Sequence, residues 1–140
     1  MTPEGINHEL GPWIRMTMPR ALRGKTIADV EPPAYPGRSW LLLGGVIPFD
    51  YDDIGIAELG PGHRFLEQST MLSMRLWEHE RIVEGLGEGA CDVADRVRFE
   101  LRPPLTWIPG SARVARALII RTFARRHRRM AAYWEAQVAH

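Results

Sequence analysis

Trp77, His79 and Arg81 recur at i, i+2 and i+4. In an extended chain that spacing puts all three on one face. An aromatic wall, an imidazole and a guanidinium would then converge on whatever the face covers. Histidine titrates near neutral pH unaided, so His79 is placed to exchange a proton with a bound molecule. The other face would carry Leu76, Glu78, Glu80 and Ile82. Both faces are mixed, so alternation leaves two orientations open: the trio looking into the interior, or the trio at the solvent side.

Asp95 falls between Val93 and Val97 on the apolar side of its segment. A carboxylate in that position needs a cationic partner, because an unpaired buried charge is costly. Arg81, His79 and Arg116 are the candidates. The pairing would serve as a salt bridge fixing sheet and helix, or it would orient His79 for acid–base work. His79, Asp95 and Arg81 are thus the candidate catalytic residues. Glu67 shares a face with Phe65, Ser69 and Met71, either as a polar group in a pocket wall or at the sheet surface. Nothing points to a metal: the five histidines (8, 63, 79, 127 and 140) are scattered without HExxH spacing, and Cys91 is the only cysteine. The glycine pairs are not followed by Gly-Lys-Ser/Thr, so no phosphate loop is expected, and no cofactor is called for.

These side chains need elements to hold them. Residues 91–102 give the clearest alternation, with Val93, Asp95, Val97, Phe99 and Leu101 on one side and Asp92, Arg96, Arg98, Glu100 and Arg102 on the other. One apolar and one wet face is the mark of an antiparallel sheet. Further strands are expected over 25–30, 39–47, 54–59, 65–72 and 74–83. The turns between them are expected at Asp50–Asp53, Gly60–Gly62 and Gly85–Gly89. The opening, Gly5 to Pro19, has room for one or two helical turns, with Ile6, Leu10, Trp13 and Ile14 as an apolar stripe. Pro103-Pro104 closes the last strand, and Ser111 is an expected N-cap. Beyond it lies a long helix with Ile119, Phe123, His127, Met130 and Trp134 on one side and Arg121, Arg125, Arg128 and Arg129 opposite. The fold class is therefore α+β: a curved antiparallel sheet gripping a long C-terminal helix in a single domain over 1–140.

Composition agrees with a globular domain. Hydrophobic residues make up 45% and charged residues 25% of 140, close to the average that excludes disorder. The longest apolar run, Trp40 to Phe49, is too short and too broken by Gly44, Gly45 and Pro48 to span a membrane. The N-terminus does not read as a signal peptide, and a cytoplasmic protein is expected. Net charge is +1, yet residues 111–140 hold seven arginines against one acid, Glu135. That charge is first the solvent face of the amphipathic helix. No exposed aromatic platform accompanies it, so no nucleic acid is expected as a partner.

Six segments now appear in a telling order: Gly5-Ile-Asn-His-Glu-Leu-Gly-Pro-Trp-Ile-Arg-Met-Thr17, Gly45-Val-Ile-Pro-Phe-Asp-Tyr-Asp-Asp53, Phe65-Leu-Glu-Gln-Ser69, Met74-Arg-Leu-Trp-Glu-His-Glu-Arg81, Asp95-Arg-Val-Arg-Phe-Glu100 and Arg125-Arg-His-Arg-Arg129. Together they resemble bacterial members of the START/SRPBCC helix-grip superfamily, related to polyketide cyclases and dehydrases. The resemblance implies a cavity for an apolar ligand between sheet and helix. Members of the superfamily begin with a strand and a first helix before the Gly-Ile-Asn segment, and this chain starts almost at that segment. The expectation is an upstream start, or else a sheet short of one strand whose unpaired edge is a route to a homodimer.

The reading that follows is a small-molecule binding domain enclosing a lipid, polyketide or aromatic metabolite. Its lining would include Glu67, Met71, Trp77, Phe99, Arg116, Ile119, Ile120, Phe123 and His127. Two alternatives stay open. One is a cyclase- or dehydrase-type enzyme using His79. The other is an interaction protein using the sheet edge or the arginine face.

Overall fold

A computed structural model of the protein describes residues 2–60, 63–87 and 89–138. Its first element is a short helix, α1 (Pro3–Leu10), opened by proline at its first turn and by Thr2, whose hydroxyl accepts from the Gly5 amide at 3.1 Å. Asn7 on this helix clamps the first strand, β1 (Ile14–Met16). Its amide donates to the Met16 carbonyl at 3.0 Å and accepts from the Met16 N–H at 2.7 Å. A strand of three residues has too little periodicity to be read from sequence, and this clamp supplies what alternation does not.

The remaining strands are β2 (Ala34–Leu43), β3 (Ile47–Gly60), β4 (Arg64–Met71), β5 (Met74–Gly87) and β6 (Ala90–Leu101). They pair in sequence order as one six-stranded antiparallel sheet, curled into half a barrel. Register shifts at Leu41/Leu42 and Ile56/Glu58 each insert an extra residue into β3, Phe49 and Ala57, and bend it. Gly55 lies in the bent stretch, where a Cβ would come within 2.2 Å of the Gln68 carbonyl oxygen on β4. The long C-terminal helix, α2 (Ser111–Val138), crosses the hollow side of the sheet, and α1 lies against it.

Four expectations need correction. Residues 25–30 form no strand: Ile27–Asp29 is a single 3-10 turn, because Asp29 accepts from both the backbone N–H and the hydroxyl of Thr26. Asp50–Asp53 is not a turn but the middle of β3, and the real reversal is at Gly44 and Gly45, both at positive φ. The carboxylates fit a strand because Arg38 neutralises Asp53 on the wet face and Ser73 satisfies Asp50 on the other. Third, Trp13 is 64% exposed and leaves the stripe assigned to the first helix. Fourth, Trp134 is 55% exposed although it belongs to the apolar side of α2, since it borders an open hollow and not a packed layer. Of the expected turns, Pro61, Gly62 and Glu88 lie outside the described residues.

Candidate functional site

Register builds the site. Glu67 on β4 stands beside His79 on β5, which stands beside Val97 on β6; one step along, Phe65, Arg81 and Asp95 line up in the same way. The inward alternation of β6 thus carries the Trp77, His79 and Arg81 face inward with it. His79 and Arg81 are 3% and 5% exposed. The His79 ring is held edge-on between Phe65 and Phe123, with centroids at 5.2 and 5.0 Å.

Asp95 is the anchor. His79 Nε2 donates to Oδ1 at 2.7 Å, and His127 Nε2, from α2, donates to Oδ2 at 2.6 Å. Arg81 donates through Nε and Nη2 at 2.8 and 2.9 Å in a two-pronged pair. Both imidazoles must carry their proton on Nε2, because an ionised carboxylate only accepts. Burial alone would raise the Asp95 pKa, but these donors and the Arg81 charge hold it well below the usual carboxylate range. His79 shows the converse. Burial works against its charged form, yet the hydrogen bond to Asp95 and the negative charges of Asp95 and of Glu67, 3.7 Å away, lift it above the ordinary imidazole value.

Two residues that sequence reasoning passed over complete the cluster. Glu9 on α1 is 8% exposed and accepts from Arg81 at 3.3 Å and from Arg126 Nη2 at 2.9 Å. Arg126, also 8% exposed, lies over the Phe123 ring at 4.9 Å. Its burial, helped by the nearby Arg81 charge, depresses its pKa from the ordinary guanidinium value despite Glu9. A signal existed for both. Arg126 sits three residues after Phe123 and four before Met130, on the buried side of α2, and Glu9 sits next to Leu10 and three after Ile6.

A third was hidden by the misread turn. Asp52 on β3 is 5% exposed and faces Glu67. Burial, and then the charge and hydrogen bond of Glu67, push its pKa up to about 9. Glu67 is raised by its own burial, but the nearby His79 and Asp52 and the hydrogen bond from the Ser69 hydroxyl leave it below its ordinary value. The pair therefore shares one proton at neutral pH.

The cluster forms a wall between two hollows. The first, of about 560 Å³, lies between the sheet and the N-terminal half of α2. Ile54, Ile56, Met71, Trp77, Ile119 and Phe123 are among its apolar lining, and Asp52, Glu67, His79 and Arg126 form its polar end. Leu43, Phe49 and Leu118 are about half exposed because they, too, border this space. The second hollow, of about 1040 Å³, lies beyond Glu9 and Arg81 and is bordered by Cys91, Met130, Tyr133 and Trp134.

Among the residues picked from sequence, Glu67, Met71, Trp77, His79, Ile119 and Phe123 meet at the first hollow. Four do not. Arg116 and Ile120 are exposed on α2, one helical step off the inward stripe, so Arg116 does not reach Asp95. His127 turns to Asp95, away from the hollow, and Phe99 sits beyond its lining, half-buried on β6. Arg81 and Asp95 stand behind His79, Arg81 bordering the second hollow. Among the described residues, no group of three or more His, Cys, Asp or Glu side chains is placed to hold a metal ion. No helix there is long and apolar enough to cross a membrane.

No curated protein and no solved structure matches the chain. Residues 1–134 match the family described as Domain of unknown function (DUF8410), and with nearly its whole length covered the chain belongs to that family.

Proposed function

We propose that the protein binds an apolar small molecule in the 560 Å³ hollow between sheet and α2. The observation that carries this is the hollow's make-up: mostly apolar side chains from both layers, with a few polar groups, Asp52, Glu67, His79 and Arg126 among them. Its volume is within the range of about 300–1,000 Å³ used for small-molecule sites. The curled sheet with a helix across it also supports a helix-grip architecture of the START/SRPBCC kind, as the six sequence segments suggest. A lipid, polyketide or aromatic metabolite fits such a space.

The test is a titration with the neutral fluorescent probe N-phenyl-1-naphthylamine. Saturable one-site uptake is expected. Leu118 lines the hollow yet is 60% exposed, so Leu118→Trp narrows the space without overpacking a core. It should weaken uptake at least about fivefold with thermal stability unchanged. Absence of saturable uptake by the native protein refutes the reading.

A cyclase- or dehydrase-type enzyme is the second reading, favoured by His79 at the wall of the hollow. Its ring nitrogens face Asp95 at 2.7 Å and Glu67 at 3.7 Å, so a proton passing to a ligand would travel through Glu67. Under this reading His79→Gln abolishes turnover and spares probe binding. Self-association is the third, supported by β6, which pairs with β5 alone among the described residues. Size-exclusion at two salt concentrations separates edge pairing from contact through the arginine face.

A further inference from the structure

The strand order sends four segments to one end of the sheet: residues 12–15 leading into β1, 43–49 at the β2–β3 reversal, 72–75 at the β4–β5 reversal, and 102–118 from the end of β6 into α2. Hydrogen bonds tie them in pairs. The Gly44 N–H donates to the Trp13 carbonyl at 2.8 Å, and the Arg102 N–H donates to the Ser73 carbonyl at 3.0 Å. Leu43, Phe49, Met74 and Leu118 all border the first hollow, so the two pairs flank the same space.

This end is apolar on its outside as well. Ten of the sixteen large hydrophobic residues exposed among the described residues fall in these segments, which make up less than a quarter of the chain. Val46 in the β2–β3 turn and Trp107 in the connection to α2 are each 76% exposed. Trp13, Ile47, Leu72 and Ile108, in the same segments, are more than half exposed. Single exposed apolar residues are ordinary, but a concentration of them at one end marks a contact surface.

Charge identifies what is contacted. The four segments hold five arginines, at 15, 75, 102, 113 and 116, and no aspartate or glutamate. Glu100 neutralises Arg75 at 2.7 Å, but Arg15, Arg113 and Arg116 are exposed and pair with no acid among the described residues. Two copies meeting through this end would bring like charges together, which disfavours a dimer. An anionic bilayer satisfies both features. Aliphatic turn tips enter the acyl boundary, tryptophans settle at headgroup level, and arginines meet lipid phosphates.

We propose that this end of the sheet docks on the surface of an anionic membrane, with the β2–β3 turn and the Trp107 connection as its inserted tips. The proposal goes beyond the reading of the hollow and does not depend on it, although docking would lay the hollow's rim against lipid.

The experiment is co-sedimentation of the full chain with vesicles of phosphatidylcholine, alone or with about 30% phosphatidylglycerol, at about 0.1 M salt. Partitioning should be at least about tenfold stronger on the anionic vesicles and should fall when salt is raised to about 0.5 M. Val46→Ser combined with Trp107→Ser removes apolar area without changing charge, and should weaken partitioning at least about tenfold. Both side chains are exposed, so the melting temperature should hold. Leu86→Ser, 69% exposed in the β5–β6 hairpin at the opposite end, should leave partitioning unchanged. Arg113→Gln with Arg116→Gln should weaken it about tenfold and flatten the salt dependence. No partitioning onto anionic vesicles overturns the docking face, as does native-like binding by the Val46→Ser, Trp107→Ser protein or an equal loss from Leu86→Ser. Probe uptake by the hollow is measured without vesicles, so either reading can fail while the other stands.

Discussion

Asp95→Asn is the sharpest test of the buried cluster. The native carboxylate is 3% exposed and accepts four hydrogen bonds from three side chains, at 2.6 to 2.9 Å. At about 1.5–3 kcal/mol for each bond to a charged group, simple addition gives about 6–12 kcal/mol, as much as a whole domain's stability. The donors can relax, however. Arg81 keeps Glu9, His79 can lose its proton and keep Glu67, and His127 is 38% exposed and can turn to water. The expected cost is therefore that of breaking a buried ion pair, about 3–5 kcal/mol. With a urea slope of about 2 kcal/mol per molar, the midpoint should fall by roughly 2 M in unfolding followed by circular dichroism. A double-mutant cycle with Arg81→Leu should return a coupling of at least about 2 kcal/mol.

The pH dependence has a defined window. Asp95 is depressed in the fold, so its contribution is present above its unfolded value near 3.9 and is lost as pH falls below it. His79 is raised, so its contribution is complete below its unfolded value near 6.5 and is lost as pH climbs through its folded value. The gap between native protein and Asp95→Asn should be widest between about pH 5 and 6.5 and should shrink on both sides. The exposed pair Arg38–Asp53, at 2.7 Å, serves as control: Asp53→Asn should cost under about 1 kcal/mol. A loss for Asp95→Asn no larger than this control, with an additive cycle, would refute the reasoning.

Two further outcomes follow from β3. Because Asp52 is pushed up to about 9, folding takes up a proton there, and the native protein loses stability from this group as pH rises from about 4 to 9; Asp52→Asn should gain on the native protein steadily across that range in urea midpoints, and a constant difference would count against the shared proton. Gly55→Ala would drive a Cβ to 2.2 Å from the Gln68 carbonyl oxygen, which is backbone and cannot step aside, so a loss of at least about 1–3 kcal/mol is expected, with altered amide exchange at Ile54–Ile56 by NMR; an unchanged melting temperature would rule out the close approach.

Legibility differed by element for physical reasons. The β6 face could be read because charge and apolar residues alternate cleanly from Asp92 to Leu101, and antiparallel register then delivered His79 and Arg81 to the inside. Asp52 could not, because four polar or aromatic residues at 50–53 have the composition of a turn, and only cross-strand partners such as Arg38 and Ser73 make them tolerable in a strand. Arg126 and Glu9 were obscured by their charge: in a run of arginines the default is solvent, and nothing short of a partner on another helix overrides it. That partner is 117 residues away in the chain, so helical spacing places Arg126 and Glu9 on the buried sides of their helices but does not pair them.

The same long-range charges explain why a hollow survives. Apolar side chains meeting across a sheet and a helix settle to crystal-like density and would draw α2 down onto the strands. Guanidinium and carboxylate groups cannot do so, because each has a fixed reach and leaving one unpaired is expensive. Arg81 from the sheet and Arg126 from the helix reach toward each other and are separated by Glu9 from a third element. Their stems and the carboxylate between them form a strut whose length is set by bonds of 2.9 to 3.3 Å. On the proposed reading, a ligand enters a space that this strut already holds open. The ordering cost is met on folding, and affinity then depends on the fit of the apolar wall.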